Sequence, residues 1–419
     1  MKTKKALAAI AIAAVVGLAA AGCTSGGSSN ASGSPVQLTF WSGFTGGDKQ
    51  AFIDLVDKFN KEHPNIQVKY VLQPWDSIAK KLPTAIASGS GPDIATPDYN
   101  VATLMQYANN HLALPLDQLV GAGKDQIAEG VLPKSLSDPF SVNGKLYAAP
   151  ANYATLMLYY NKDLLSKAGI PVPTTMKELQ DDAVKLSDGK GHYGIALADH
   201  ATISMWPVLI WADGGDLIQN GCSALNSKAT VDTVSTWSKL VRDNKITPTG
   251  LAGQDADDLF AAGKAAFEIN GPWAAGAYTK AKVNFDVAPV PTGASGTPVT
   301  LGSTVPMIVA SSTKHPKEAQ AFFAWWLSKS SQAQLAKAAA YVPSRTDMAN
   351  DPSVSSDPLV KAFTSQVPNA RLYLPTEKDF SKIDVDIFTP AIQAATQNGD
   401  PAKALGTAND QLNQVLGCK

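Results

Sequence analysis

The sequence predicts an α/β protein, in which helices cover a β-sheet and ligand loops lie at the strand ends. Short apolar strands alternate with amphipathic helices over residues 36–95, and the same alternation returns from residue 148 onward. The chain has 419 residues, of which 45% are hydrophobic and 17% are charged. This length and composition are sufficient for two lobes, each with its own core.

The first elements open a β-α-β-α-β pattern. Residues 36–41 alternate polar and apolar side chains as a strand does, and the glycine-containing segment 42–47 interrupts them. Asp48 follows at the position of a helix cap. Apolar side chains then recur at helical spacing, namely Phe52, Leu55, Val56 and Phe59. These features predict a strand, a turn and an amphipathic helix that ends at Pro64.

The following segments complete the pattern and then repeat it. Residues 66–72 predict a strand, residues 78–87 a helix, and residues 93–95 a short strand. Later residues are predicted to be extended over 148–160, 194–197, 267–269, 287–290 and 307–310, and helical over 164–168, 176–187, 256–263, 316–327 and, mainly, from 380 onward. No Pro/Gly linker after residue 35 marks a clean two-domain cut, so we expect interleaved lobes with more than one chain crossing.

Residues 1–22 have the composition of a secretory signal peptide. A basic start precedes an apolar run from Ala6 to Ala21, which is too short for a stable membrane span. Cys23 follows Ala20-Ala21-Gly22 and resembles the lipidated cysteine of a bacterial lipobox, although Ala20 stands where leucine is usual. The alternative is a plain signal peptide with an incidental cysteine. The lipobox predicts a mature chain that starts at Cys23, outside the cytoplasm, with residues 23–35 as a lipid-anchored flexible tether.

Charge and motifs exclude several classes of function. The formal net charge is −1 and no basic patch is visible, which argues against a nucleic-acid partner. The chain lacks GxSxG, HExxH, Walker and GxGxxG motifs, and its five histidines are scattered. We therefore expect no metal, cofactor or catalytic residue. Cys222 and Cys418 could pair in an oxidising compartment or remain separate thiols, and the sequence leaves both open.

Aromatic residues at predicted turns indicate a sugar site. Sugars present flat C–H faces and hydroxyl groups, so they require aromatic surfaces beside polar hydrogen-bonding groups. Trp273 follows Gly271-Pro272 at a turn, which favours a ligand contact, whereas Trp325 and Trp326 lie in an apolar helix and favour the core. Further aromatic residues of this kind are Trp41, Tyr99, Tyr153, Trp206 and Trp211.

Nine short motifs occur in an order that carries a family resemblance. They are LTFWSG at 38–43, FNKEHPNIQV at 59–68, SGSGPDI at 88–94, GKLYAAP at 144–150, YYNKDLL at 159–165, WP to GG at 206–215, FAAGKAAF at 260–267, GPW at 271–273 and VPSR at 342–345. Over residues 36–419 the chain thereby resembles family 1 of the bacterial extracellular solute-binding proteins, the maltose-binding-protein-like receptors of ABC importers.

The resemblance implies a two-lobed, periplasmic-binding-protein-like (Venus-flytrap) fold with a hinge of several chain crossings. It implies an N-lobe of residues 36–150 and 298–348, and a C-lobe of residues 151–297 and 349–419. The ligand would bind between the lobes. The implied binding residues are Trp41, Ser42, Gly43, Phe44, Thr45, Asp98, Tyr99 and Asn100 in the N-lobe, Tyr153 at the hinge, Trp206 and Trp273 in the C-lobe, and Gly302, Ser303, Tyr341 and Arg345 near the returning crossings.

The resemblance also implies a function. The chain would be a monomeric substrate-binding lipoprotein on the outer face of the cell membrane, which captures a sugar by hinge closure. It would deliver the sugar to a permease with two membrane subunits and a cytoplasmic ATPase. Ile203 and Pro97 replace aromatic residues of maltose receptors, so maltose itself is not the expected ligand.

Two alternatives remain open at this point. A lipid-anchored glycoside hydrolase would need two carboxylates about 5–10 Å apart across a cleft. The same fold could instead bind glycerol-phosphate-type solutes, which an arginine such as Arg345 or Arg371 facing the cleft would favour. The sequence does not identify the sugar, its length or the permease.

Overall fold

A computed structural model describes residues 34–418 of the chain, except residues 349, 376 and 398. The predicted signal peptide, Cys23 and the tether up to residue 33 lie outside the described residues. Within the described part of the chain, no helix combines the length and apolarity needed to cross a membrane.

The strands of the described chain follow one another in this order: β1 (Val36–Ser42), β2 (Ile66–Leu72), β3 (Ile94–Ala95), β4 (Ser141–Val142), β5 (Lys145–Leu146), β6 (Ala149–Pro150), β7 (Ala154–Thr155), β8 (Met157–Asn161), β9 (Tyr193–Ala196), β10 (Ile218–Gln219), β11 (Cys222–Ser223), β12 (Ala265–Asn270), β13 (Phe285–Ala288), β14 (Thr300–Ser303), β15 (Pro306–Val309) and β16 (Ala370–Leu372).

The α-helices between them are α1 (Lys49–Glu62), α2 (Trp75–Ala87), α3 (Leu104–Asn109), α4 (Lys134–Ser137), α5 (Lys162–Ala168), α6 (Met176–Lys185), α7 (Met205–Ala212), α8 (Lys228–Asn244), α9 (Gly253–Ala261), α10 (Ala275–Lys280), α11 (Pro316–Trp326), α12 (Lys329–Ala339), α13 (Pro352–Ser355), α14 (Pro358–Ser365), α15 (Thr389–Gln397) and α16 (Pro401–Leu416). A π-helix covers Lys382–Phe388.

The first sheet has the strand order β2-β1-β3-β15-β6. Strand β1 is parallel to β2 and β3, whereas β15 is antiparallel to β3 and β6. Its core is rich in aromatic side chains, with the rings of Phe40 and Phe322 packed edge to face at 5.9 Å between centroids. Trp326 is fully buried in the same core, whereas Trp325 is half-buried and donates a hydrogen bond to Glu62.

The second sheet has the order β13-β8-β12-β9, with β12 antiparallel to β8 and parallel to β9. A separate hydrophobic core covers it and includes Phe260, Phe267 and Trp237, all fully buried. Two chain regions, one leading from β6 to β8 and the other leading from β13 to β15, connect the two sheets. Strands β7 and β14 lie in these connections and pair with each other, and β16 joins them.

The structure confirms an α/β protein, and several predicted boundaries agree closely with it. Strand β2 has its predicted bounds, and Gly169 ends α5 in the left-handed region at φ 65°. One extended segment predicted over residues 148–160 is wrong. It forms three short strands, because β6 pairs with β15, β7 with β14 and β8 with β12, so the segment passes from one sheet to another.

The carboxyl-terminal region is fastened to the second core. A disulfide joins Cys222 in β11 to Cys418, just after α16, so the pairing that the sequence left open is present in the structure. The backbone N–H of Ser223 also donates a hydrogen bond to Asn413 Oδ1 at 2.9 Å.

Candidate functional site

A cavity of about 380 Å³ lies where the carboxyl ends of β1, β3 and β12 approach one another. Ligands of open α/β sheets characteristically bind at such strand ends. The first sheet contributes the loop after β1, the loop after β3 and the start of α2. The second sheet contributes α9 and the turn after β12, while β14 lines the cavity from the connecting region.

Two tryptophans provide aromatic surfaces of this cavity. Trp75 begins α2, and Trp273 lies in the turn after β12; both are half-buried. Each indole packs directly over a glycine, because a Cβ on Gly43 would overlap the Trp75 ring and a Cβ on Gly271 would overlap the Trp273 ring. Any larger residue at Gly43 or Gly271 would displace the ring that packs on it, so these two glycines determine where the tryptophan rings lie. Phe44 extends this wall, and its ring packs edge to face with that of Trp75, with 5.4 Å between the ring centroids.

Asp48 is a buried carboxyl group at the cavity wall. It precedes α1 at the predicted cap position, but its side chain makes no capping hydrogen bond. Its Oδ2 instead accepts a hydrogen bond of 2.7 Å from the hydroxyl of Tyr341, which is itself a lining residue. Burial raises the pKa of Asp48 to about 6, against the lowering effect of the Tyr341 hydrogen bond.

Asp257 on α9 is a second carboxyl group of the cavity. Its Oδ1 accepts a hydrogen bond of 2.6 Å from Nδ2 of Asn270, at the end of β12. Behind it, the fully buried Glu268 accepts hydrogen bonds from Asn270 and from the hydroxyl of Tyr278. Burial, together with the charge of neighbouring carboxylates that include Asp48, raises the pKa of Asp257 to about 6.

Tyrosines form a further polar part of the wall. The hydroxyls of Tyr99 and Tyr373 both donate to Asp384 of the π-helix, at 3.2 and 2.8 Å. The side-chain amide of Asn100 donates to the carbonyl of Tyr373 at 3.2 Å. This network joins the loop after β3 to the carboxyl-terminal region, so it holds Tyr99 and Asn100 at the cavity.

The two sides of the cavity touch at its rim through glycines. Gly47, in the loop after β1, approaches α10, and a Cβ on Gly47 would lie 2.8 Å from the carbonyl oxygen of Trp273. A Cβ on Gly276 would lie 3.0 Å from the carbonyl oxygen of Gly47. A side chain at either position would therefore hold the two sides apart.

We expect Gly276→Ala to weaken ligand binding about fivefold, because overpacking of about 1 kcal/mol would oppose the approach of the two sides. The unliganded protein should keep its melting temperature, since alanine favours a helix. Gly406→Ala is the matched control, because a Cβ at Gly406 of α16 meets nothing within 4 Å. Calorimetric titration of both variants measures the effect; equal affinities would contradict it.

Three carboxyl groups, of which Asp48 and Asp98 are buried and Asp257 is half-buried, also predict a pH dependence of stability. The pKa values of Asp48, Asp98 and Asp257 are raised from 3.8 to about 6, with burial as the largest cause. The folded state therefore keeps protons that the unfolded chain has released, so this stabilisation is full below pH 3.8 and is lost as the pH rises through about 6.

The ligand-free protein should accordingly melt at a higher temperature at pH 5 than at pH 7.5, with each carboxyl contributing at most about 1.4 kcal/mol per pH unit. Asp188, whose pKa is lowered to about 2, acts only at more acidic pH. Circular dichroism melts test this. Asp257→Asn should reduce the difference between the two pH values, and a melting temperature that rises from pH 5 to pH 7.5 would contradict the assignment.

The structure brings most of the predicted binding residues to this cavity. The predicted residues that line it are Gly43, Phe44, Thr45, Tyr99, Asn100, Trp273, Gly302, Ser303 and Tyr341. A second group lies next to these residues without lining the cavity, namely Trp41, Ser42, Asp98 and Tyr153. Among them, Ser42 Oγ accepts a hydrogen bond from Tyr70, and Asp98 accepts one from the backbone of Asn100.

Trp206 and Arg345 lie elsewhere. Trp206 is fully buried in α7, where its Nε1 donates to the carbonyl of Ala198 at 2.8 Å, so it presents no ring face to the cavity. The cause is α7 itself, in which every residue is buried. The guanidinium of Arg345 donates to the carbonyl of Leu327 at 2.7 Å and pairs with Asp347. Both placements differ from those implied by the family resemblance.

Sequence reasoning did not select Asp48, Trp75 or Asp257 as binding residues. Trp75 lies outside the helix predicted over residues 78–87, whereas α2 begins at Trp75 itself, after Pro74. A tryptophan that directly follows a proline at a helix start is the sequence feature that could have indicated this binding residue. The sequence predicts Asp48 to be a helix cap, and nothing local distinguishes Asp257 from the other acids of α9.

Comparison with known proteins identifies the family. A family model described as "Bacterial extracellular solute-binding protein" matches residues 54–362. The chain belongs to this family. The solute-binding protein is also similar along its whole length to a galactooligosaccharide-binding protein of Bacillus subtilis, with 27% identity over 452 residues that cover 100% of this chain and 99% of the relative.

Two further similarities support the assignment. A putative binding protein of Brucella abortus is 26% identical over 375 residues, covering 87% of this solute-binding protein and 89% of the relative. The solved GacH receptor of Streptomyces glaucescens, described in complex with acarbose, is 28% identical with a TM-score of 0.81. That match covers 92% of this chain and 100% of the receptor, and it confirms the two-lobed, maltose-binding-protein-like fold.

Proposed function

We propose that this solute-binding protein captures a carbohydrate in the cavity between its two lobes and presents it to an ABC permease. The observation that best supports this proposal is that two tryptophans and several polar groups line one cavity, namely Trp75, Trp273, Asp48, Asp257 and Asn270. Indole faces suit the C–H faces of a sugar ring, and carboxylate and amide groups suit its hydroxyls. A sugar is also supported by the galactooligosaccharide-binding relative and by GacH, whose structure is described in complex with acarbose.

We infer that the connecting strands act as the hinge. The side chain of Asn152 accepts a hydrogen bond of 2.9 Å from the backbone of Val305, and the hydroxyl of Thr304 donates to the Asn152 carbonyl at 2.8 Å. These bonds join the two crossings beside β7 and β14. The lobes would then be residues 36–150 with 298–348, and residues 151–297 with 349–419.

An anionic solute is a poorer fit to this cavity. Among the described residues that line it there is no lysine, arginine or histidine. Arg345 is engaged by Asp347, and Arg371 pairs with Asp216 at 2.7 Å while it lies over the ring of Trp211. A phosphate group at this site would therefore meet carboxylates without a guanidinium to bind it.

A hydrolase would use two carboxyl groups across a cleft, and Asp48 and Asp257 line the cavity from its two sides. Each is already held by a neighbour, Asp48 by Tyr341 and Asp257 by Asn270. The relatives that match along their length are described as binding proteins, so we infer binding without bond cleavage. Product analysis of the bound sugar distinguishes the two functions.

We further propose that Cys23 carries a lipid and that residues 24–35 hold the folded body near the outer face of the membrane, where the protein acts as a monomer. The basic, apolar and small-residue segments of residues 1–22 support a lipoprotein signal peptide. Cys23→Ser should release the protein from the membrane fraction, whereas unchanged fractionation would contradict the anchor.

Thermal unfolding of residues 24–419 against a panel of mono-, di- and oligosaccharides, with glycerophosphodiesters included, tests the proposed function. A sugar at 100 times its dissociation constant should stabilise the protein by about 2.7 kcal/mol. A shift with a sugar that is recovered unchanged supports the receptor. A shift with a phosphate compound alone, or conversion of the sugar into products, would replace it with one of the alternatives.

A further inference from the structure

The cavity is surrounded by carboxyl groups that lack a cationic partner. Asp48 and Asp257 line it, and three more lie one hydrogen bond behind lining residues: Glu268 behind Asn270, Asp98 behind Asn100, and Asp384 behind Tyr99 and Tyr373. Among the described residues, none of these five acids forms an ion pair.

The placement of Asp48 makes this charge costly without a ligand. Asp48 is only 5% exposed. Among the described residues, only Tyr341 donates a side-chain hydrogen bond to its carboxylate. Asp257 lines the same cavity, and the charge of Asp48 contributes to the raised pKa of Asp257, after burial and the charge of Asp258. Two carboxylates that line one cavity repel each other, and each loses solvation to the extent that it is buried.

The aromatic walls favour a cation in the same space. Trp75 and Trp273 are half-buried and present indole surfaces to the cavity, and Tyr99 and Tyr341 add phenol rings. A cation within about 6 Å of a ring centroid is attracted by the electrons of the ring, most strongly for tryptophan. A neutral hydroxyl can donate hydrogen bonds to Asp48 and Asp257, but it does not offset their charge.

We propose that the preferred ligand is an aminated sugar, whose protonated amino group binds between Asp48 and Asp257 beside the ring of Trp273. The inference rests on the proposed carbohydrate function and narrows its ligand class. Two observations support this inference: the cavity combines carboxyl groups with aromatic rings, and no basic residue occurs among the described lining residues. Ammonium hydrogen bonds to two carboxylates would replace the solvation that both lose when the cavity closes.

Matched ligands test the charge directly. Cellobiose, chitobiose and N,N′-diacetylchitobiose share one linkage and carry hydroxyl, ammonium and acetamido groups at C2; glucose, glucosamine and N-acetylglucosamine form a second set. Calorimetric titration of residues 24–419 at pH 6.8, where the sugar amine is largely protonated and the two carboxyls are largely ionised, should give at least about tenfold tighter binding for the ammonium member of a set. Raising the salt concentration from 50 to 500 mM should weaken that member alone, as screening requires.

Asp257→Asn tests the assigned carboxylate. The variant keeps the size of the side chain and should weaken binding of the aminated sugar about tenfold, with less than about a threefold effect on a neutral sugar. Asp258→Asn is the matched control, because Asp258 lies on the same helix, is exposed and accepts a hydrogen bond only from Gln254 among the described residues. Asp48→Asn provides a second variant on the opposite side of the cavity.

The outcomes separate this inference from the proposed function. Tighter binding of an ammonium sugar, with the selective loss in Asp257→Asn, supports it. A neutral sugar that binds as tightly as any aminated probe, or equal losses for both ligand classes in Asp257→Asn, overturns the inference and leaves the carbohydrate receptor intact. Absence of binding by every sugar, neutral or aminated, overturns both.

Discussion

Trp273→Ala is expected to weaken sugar binding about 10- to 100-fold, which corresponds to about 1.4–2.8 kcal/mol of lost stacking and burial. Trp273 is half-buried at the cavity, and its ring rests on the backbone of Gly271. The side chain is therefore held in place before the ligand arrives, so its removal costs contact area without a compensating gain in order. Calorimetric titration with the sugar identified by thermal unfolding measures the loss.

Trp41→Ala is the control for this substitution. Trp41 is also half-buried and lies at the end of β1, but it packs against the small core that includes Ile308 and does not line the cavity. Its replacement should lower the melting temperature more than the affinity. Trp273→Phe should restore part of the affinity, since a ring face remains. Equal affinities of Trp273→Ala and the unchanged protein would remove Trp273 from the site.

Breaking the disulfide should produce the second large effect. Cys222 and Cys418 are 196 residues apart in sequence, so their link constrains about half of the unfolded chain. Replacing both with serine should cost about 2–5 kcal/mol and lower the melting temperature by about 2–6 °C. Sugar affinity should stay unchanged, because neither cysteine lines the cavity.

Two comparisons define this second result. A reductant should lower the melting temperature of the unchanged protein by the same amount and should have no effect on the double serine variant. Asn413→Ala removes only the neighbouring hydrogen bond to Ser223 and should be milder. A melting temperature that is insensitive to reductant would show that the link does not stabilise the protein in solution.

Local patterns predicted the elements of the fold well. Strand β2 and the end of α5 at Gly169 depend on side-chain alternation and on a glycine in the left-handed region, and both can be read from a few residues. The segment over residues 148–160 could not be divided in this way. Its breaks depend on partners more than 100 residues away, in β12, β14 and β15.

The site was less accessible to sequence reasoning for the same physical reason. Asp48 stands at a helix start, where a carboxylate ordinarily caps, yet its partner Tyr341 is 293 residues distant. Trp206 and Trp273 both lie beside proline, but one is enclosed by a wholly apolar helix and the other lies in a turn. Local composition predicted both as binding residues and so did not separate turn from core here, and the pairing of carboxyl groups across the cavity also required the tertiary structure.

The central claim is that one sugar molecule binds in the cavity and leaves it unchanged. Isothermal titration of residues 24–419 with the most stabilising sugar, followed by mass analysis of that sugar, tests this claim most directly. We predict a stoichiometry of one, loss of affinity in Trp273→Ala, and recovery of the sugar intact. Absence of binding heat with every stabilising sugar, affinity that is independent of Trp273, or recovery of cleaved products would contradict it.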